Sequence, residues 1–172
     1  MDWLGERLAC GDEAAFAELY DAVADQLYRW LTIRLGTPDD AADVLQEVFV
    51  RLARQRHRLR KIQNVTGYVF VIARNESARL HAKRAREAPR QALPADLKAP
   101  PDTESSGPTA EALVDMLTQL TAEQREVVEL KIYAGLTFNQ IAAVTGAPVG
   151  TAASRYRAAI ARLRSLVDQE SM

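Results

Sequence analysis

Apolar side chains recur along this chain at three- and four-residue spacings, and no stretch alternates apolar and polar positions long enough to argue for a sheet. The pattern therefore predicts an all-α protein. The most regular stripe runs from Pro38 to about Gln55, where Ala41, Val44, Leu45, Val48, Phe49 and Leu52 fall on one side of a helix. Pro38 and Asp39 stand where such a helix begins, because proline loses nothing at the first position and an acid favours the N-terminal end. A helix from about Glu13 to Leu35 precedes it and stops at Gly36, and a third, from about Thr66 to Arg86, starts apolar with Tyr68, Val69 and Ile72 and finishes basic.

The apolar period lapses between Ala88 and Pro108. Pro89, Pro94, Pro100, Pro101 and Pro108 recur there among Ser105, Ser106, Gly107 and several acids, the composition of a linker. It divides the chain into two small helical domains, 1–88 and 111–172, joined by an acidic segment 89–110, each expected to hold its own core and to move relative to the other. In the second, three helices are expected from Thr121 onward. Gly135 ends the first. Thr137 and Gln140 have the spacing of a capping box, so a short helix starts at Phe138 and stops at Gly146. Pro148 and Gly150 make a turn and Thr151 opens the last helix, with Ile141, Ala142, Val149 and Ile160 expected to pack the pair. This is the pattern of a helix-turn-helix, whose second helix enters the DNA major groove and offers side chains near its N-terminal end to base edges. Thr151, Ala153, Ser154, Arg155 and Arg157 occupy that end. A helical hairpin with a solvated face satisfies the same spacing.

Composition narrows the class. With 172 residues, 48% of them hydrophobic, the chain can bury a core. A lone cysteine, Cys10, excludes an internal disulfide, and no histidine–cysteine cluster suggests a metal. Nothing approaches the roughly 18 consecutive apolar residues of a membrane span, and the acidic N-terminal stretch is unlike an export signal, so a cytoplasmic location is expected. No phosphate-cradling glycine loop and no nucleophile with an evident base is present; neither an enzyme nor a cofactor is expected. His57 and His81 read as surface polar residues.

The formal charge of −1 hides an asymmetry: residues 1–50 carry three basic and eleven acidic side chains, and residues 51–86 carry eleven basic and one acidic. A field of one sign on one segment favours a polyanion as partner. Within that tract Arg79, Lys83 and Arg86 recur at four and three residues, share a helical face and can track a phosphate backbone. Upstream of it, Asp43, Gln46 and Glu47 form one polar ridge on the helix whose opposite stripe is apolar, suited to a basic partner.

Two stretches carry a family resemblance. "EQREVVELKIYAGLTFNQIA" followed by "PVGTAASRYRAA" resembles region four of bacterial sigma factors, the part that reads the upstream promoter element. "AFAELYDAVADQLYRWLTIRLGTPDDAADVLQEVFVRLAR", with Asp43, Gln46, Glu47 and Phe49 matching a D-x-x-Q-E-x-F pattern, resembles the core of sigma region two, and "GYVFVIARNESARLHAKRAR" resembles the helix that follows, with Ile72, Ala73, Arg74 and Asn75 matching as they stand. In order and spacing the chain looks like an extracytoplasmic-function (ECF) sigma factor. The resemblance implies that Asp43, Gln46, Glu47 and Phe49 hold core RNA polymerase. It implies that Arg74 and Asn75 face promoter DNA, and that the loop from about Gln55 to Thr66, with Arg56, Arg58, Arg60, Lys61 and Asn64, lies where a base flipped from the downstream element is captured. An anti-sigma factor or other regulator is an implied partner. The chain departs from the family at Tyr68 and Val69, where W-L is usual, at Arg79 for aspartate, at Thr121 for proline, and at Ala153 and Ala158 for basic residues. Tyr68 could stack on a base, but its spacing with Val69 and Ile72 also suits a core. The opposed charges of residues 1–50 and 51–86 would let the second domain fold back over the ridge. An autonomous helix-turn-helix regulator is the alternative reading.

Overall fold

A computed structural model of the chain describes residues 3–87 and 116–170. All described regular structure is helical: α1 (Trp3–Cys10), α2 (Glu13–Leu35), α3 (Pro38–Arg54), a 3-10 helix (Arg56–Lys61), α4 (Val65–Glu87), α5 (Ala122–Ile132), α6 (Phe138–Thr145) and α7 (Val149–Glu170). The segment expected to be a linker, 89–110, lies outside the described residues.

Local chemistry fixes the helix ends. Asp12 caps α2 by accepting from the amides of Ala14 and Ala15, and Gly36 closes it at φ 79°, a left-handed conformation that costs glycine nothing. Thr37 caps α3, with Pro38 in the first turn. Thr137 and Gln140 form the expected capping box, and Gly146 ends α6 at φ 73°. A second capping box, not foreseen, joins Thr121 and Gln124 at the start of α5. It explains one departure from the family pattern: the backbone N–H of Thr121 donates to Gln124 Oε1 at 3.2 Å, a bond that proline cannot make.

Four expectations change. The first ten residues hold a helix, α1, that no sequence signal announced. The stretch expected as a loop from Gln55 to Thr66 contains the 3-10 helix, pinned by Leu59, its one buried residue. The last helix opens at Val149 rather than Thr151, so Gly150 sits inside its first turn, and Val149 is exposed rather than packed. The helix-turn-helix instead packs through Ile141, Val144 and Ala152, with the Phe138 and Tyr156 rings edge to face at 5.6 Å. Finally, the two halves do not have wholly separate cores. One buried cluster runs from Leu8 through Trp30, Phe70 and Ala73 to Val127, Leu130, Ile141 and Ala152, and a smaller one holds Leu117, Leu120, Val128 and Ala159.

Helix α1 lies on the 3-10 helix so closely that a Cβ on Gly5 would come within 2.8 Å of the Leu59 carbonyl oxygen, whereas one on Gly150 would meet nothing within 4 Å. Arg7 fastens α1 to α2 through Asp12 at 2.6 Å and Glu18 at 2.9 Å. The two glycines therefore respond oppositely to alanine. Gly5→Ala must displace backbone and lowers the unfolding free energy by about 1–3 kcal/mol, as overpacking does. Gly150→Ala raises it by up to about 1 kcal/mol through helix propensity and a less flexible unfolded chain. Urea unfolding followed by circular dichroism measures both.

Candidate polymerase and nucleic-acid interface

The acidic ridge stands where the stripe predicts. Ala41, Val44, Val48 and Leu52 of α3 are buried, while Asp43 and Gln46 are exposed and Glu47 is half-buried. Glu47 lies 3.9 Å from Arg51, one turn on, and Arg51 reaches in the other direction to Glu76 of α4 at 2.7 Å. Phe49 does not present its ring outward; it packs, half-buried, on Tyr20 with centroids 5.0 Å apart. That makes Phe49 a support beneath the ridge more than a contact upon it.

The basic tract divides into cations left in solvent and cations spent on the fold. Arg56, His57, Arg58, Arg60 and Lys61 are exposed along the 3-10 helix, their backbone held by buried Leu59. Asn64 is exposed, yet its side-chain oxygen accepts from the Gly67 amide at 2.9 Å and so starts α4. Tyr68 is half-buried against the core. Asn75, Arg79, Lys83 and Arg86 are exposed on α4, with Arg79 3.6 Å from Glu76 and Lys83 4.0 Å from Glu87. Arg84 pairs with Asp40 at the start of α3 at 2.5 Å. Burial opposes ionisation of Asp40, but the hydrogen bonds from Arg84 and Thr37 outweigh it and hold its carboxyl below the usual range.

Arg74 is the chief surprise. Its Nε and Nη2 donate to the two oxygens of Glu126 in α5, at 2.7 and 3.1 Å, a bidentate pair across 52 positions of sequence. Arg34, at the end of α2, joins from the other side, 3.2 Å from Glu126 and 3.4 Å from Glu129. The Glu126 hydrogen bond raises the pKa of Arg74, and burial raises that of Glu129 against the pull of Arg34 and Arg125. The second half thus folds back as the charges suggested, but onto α4 and the end of α2. Asp43 and Gln46 stay in solvent, because the cations that attract the acids of α5 are Arg34 and Arg74.

In the helix-turn-helix, Ser154 and Arg157 are exposed and Thr151, Ala153 and Arg155 half-buried on the first turns of α7. The Ser154 hydroxyl donates to the Thr151 carbonyl at 2.9 Å. Among the described residues no helix is long and apolar enough to cross a membrane, and no group of histidine, cysteine and carboxylate side chains could hold a metal.

The family model for sigma-70 region 2 matches residues 19–87, and that for sigma-70 region 4 matches residues 110–163. The chain is 32% identical over 164 residues to the ECF RNA polymerase sigma factor RpoE of Cereibacter sphaeroides, across 89% of this chain and 86% of that one. This chain belongs to the ECF RNA polymerase sigma factors. The sigma factor is also 31% identical to BldN of Streptomyces coelicolor, over 96% of this chain and 65% of that protein. Two solved structures share its fold: CnrH in complex with the cytosolic domain of CnrY, at 22% identity and a TM-score of 0.69, covers 96% of each chain. RpoE in complex with the anti-sigma factor NepR from Bartonella quintana, at 24% and 0.70, covers 89% of this chain and 96% of that one. Its function is accordingly that of a transcription initiation factor that directs RNA polymerase to promoters.

What sequence reasoning missed is the acid partner of Arg74. Glu126 and Glu129 sit among Val127, Val128 and Leu130 in a helix with five consecutive buried positions, a sign that both sides of α5 are covered. Breaking the pair has two measurable consequences. A double-mutant cycle of Arg74→Ala and Glu126→Ala gives a coupling of about 1 kcal/mol, the bidentate geometry raising it and the partly exposed guanidinium lowering it. For Asp40, a depressed folded pKa means stability present above the ordinary value of 3.8 and lost as pH falls through the lower folded one. Wild type exceeds Arg84→Ala by up to about 1 kcal/mol at neutral pH, and the gap closes below pH 3.8, as urea titrations across pH report.

Proposed function

We propose that this sigma factor docks on core RNA polymerase through Asp43, Gln46 and Glu47, with Phe49 bracing the ridge from beneath. The observation that carries the reading is an exposed acidic ridge on α3 that the folded-back second half leaves open, on a helix whose opposite face is buried. The first domain, 1–88, then handles the downstream promoter element. Arg56, Arg58, Arg60 and Lys61 on the 3-10 helix, with Asn64 holding the start of α4, border the site for an extruded base, and Tyr68 supports that site from the core. Asn75, Arg79, Lys83 and Arg86 follow the phosphate backbone along α4, and Arg74 joins them once Glu126 lets go. The second domain, 111–172, reads the upstream element with Thr151, Ala153, Ser154, Arg155 and Arg157 in the major groove. Segment 89–110 sets the separation between the two.

The protein acts in the cytoplasm, as a specificity subunit and not an enzyme, and an anti-sigma protein is its natural regulator. The complex of the sigma factor RpoE with the anti-sigma factor NepR, a structural relative, supports that last element. An autonomous DNA-binding regulator explains α6 and α7 but gives no use for the open ridge beside a basic helix.

Capture of purified bacterial core polymerase by the wild-type chain, and its loss on Asp43→Ala/Gln46→Ala/Glu47→Ala with an unchanged circular dichroism spectrum, is the expected result. If neither chain is captured, residues 1–88 alone are tested, and failure there overturns the ridge as the docking surface.

A further inference from the structure

Two guanidinium groups that come from different helices of the first domain converge on one carboxylate. Glu126 Oε1 lies 2.7 Å from Arg74 Nε and 3.2 Å from Arg34 Nη2, and Glu129 adds a second carboxylate 3.4 Å from Arg34 Nη1. Arg34 is held for this task. Its guanidinium lies over the Trp30 ring, 5.2 Å from the centroid, and that ring is fully buried. Its Nε is buried and has no hydrogen-bond partner among the described residues, so the guanidinium keeps a donor that neither glutamate uses. Two cations brought together from separate helices form an anion site, and both glutamates reach it from the other half of the chain.

We propose that Arg34 and Arg74 together form a phosphate-binding site for promoter DNA, occupied by Glu126 and Glu129 in the folded-back arrangement. Arg34 thereby becomes a DNA contact that lies outside the basic tract and outside the D-x-x-Q-E-x-F pattern. The chemistry is that of a phosphodiester: planar guanidinium forks suit two oxygens of one phosphate as they suit two oxygens of a carboxylate. Since one site cannot hold both anions, the second domain and the DNA compete for it, and the two domains must part before α4 takes its full footprint. The inference rests on the promoter-binding reading of α4, but not on docking to polymerase.

Anisotropy of a fluorescein-labelled DNA duplex, titrated with the full-length chain over a series of salt concentrations, tests it. Glu126→Gln, which keeps the shape and one acceptor oxygen but removes the competing charge and the second acceptor, raises DNA affinity severalfold and steepens the dependence of log K on log salt. On that background Arg34→Gln flattens the slope by about 0.9, the loss of one neutralised phosphate, and Arg34→Lys restores it. Circular dichroism confirms the fold of each variant, and the Lys–Gln comparison removes any shared cost of losing the Trp30 stack. Equal slopes for Arg34→Lys and Arg34→Gln would overturn the site. If those two variants instead differ in binding to poly-glutamate and not to DNA, the site serves an acidic protein and the proposal is likewise wrong. Polymerase capture, run in parallel, separates the two readings: its failure with the DNA slopes as expected overturns the docking ridge alone.

Discussion

A carboxylate wedged between two guanidiniums is the contact on which the arrangement of this molecule depends. Glu126 is nearly enclosed, yet it stays paired because Arg74 and Arg34 approach it from helices that the first core holds rigid. Taking such charges from water costs several kcal/mol per ion, so the cluster is a weak source of net stability and a strong source of specificity. Without Arg74, Glu126 keeps only the longer contact to Arg34, and without Arg34, Glu129 loses its hydrogen-bonded cation. The apolar surface around it, from Phe70 and Ala73 to Val127 and Leu130, supplies the attraction, and the ions select the register.

That division of labour explains which surfaces remain open. Had the acids of α5 met the arginines of the 3-10 helix, its basic face would be closed. Instead the cations consumed are Arg34 and Arg74, while Arg56, Arg58, Arg60 and Lys61 stay exposed. A further pair of ties runs inside the first domain. Arg51 links the ridge helix to Glu76, and Arg84 links Asp40 back to α4. Glu76 sits one turn before Arg79 and meets Arg51 of α3 at 2.7 Å, while Arg79, 3.6 Å from the same carboxylate, faces outward.

Much of this was legible in the sequence, for identifiable reasons. The bounds of α2 and α3, the capping box at Thr137 and the stop at Gly146 all rest on short-range chemistry, and short-range chemistry is what periodicity and caps encode. The exposed ridge at Asp43 and Gln46 followed from the same periodicity. The 3-10 helix did not: its only fixed point is Leu59, whose burial depends on Gly5 more than fifty positions earlier, and no local pattern conveys that. Helix α1 is eight residues long, below what propensity alone can nucleate, and it exists because α2 and the 3-10 helix cover it. The Arg34–Glu129 contact spans 95 positions, so charge counting by segment could not show where the halves touch.

The charge asymmetry takes on a different meaning once these contacts are known. Taken as blocks, a strongly acidic stretch beside a strongly basic one suggests that the two neutralise each other. In the folded chain they do so only in part, through Asp40 with Arg84 and Glu47 with Arg51, while Asp43 of the ridge and the cations of the 3-10 helix remain in solvent. Opposite fields therefore persist on one small domain, a costly choice for a protein that needed only to fold. They suit a protein whose two partners carry opposite charge, a basic surface for the ridge and a nucleic acid for the tract. The second half, whose own charges nearly balance, contributes one acid, Glu126, that pairs with Arg74 of that tract and another, Glu129, that pairs with Arg34. Separation of its fields, rather than its net charge of −1, is the electrostatic feature of this chain tied to its function.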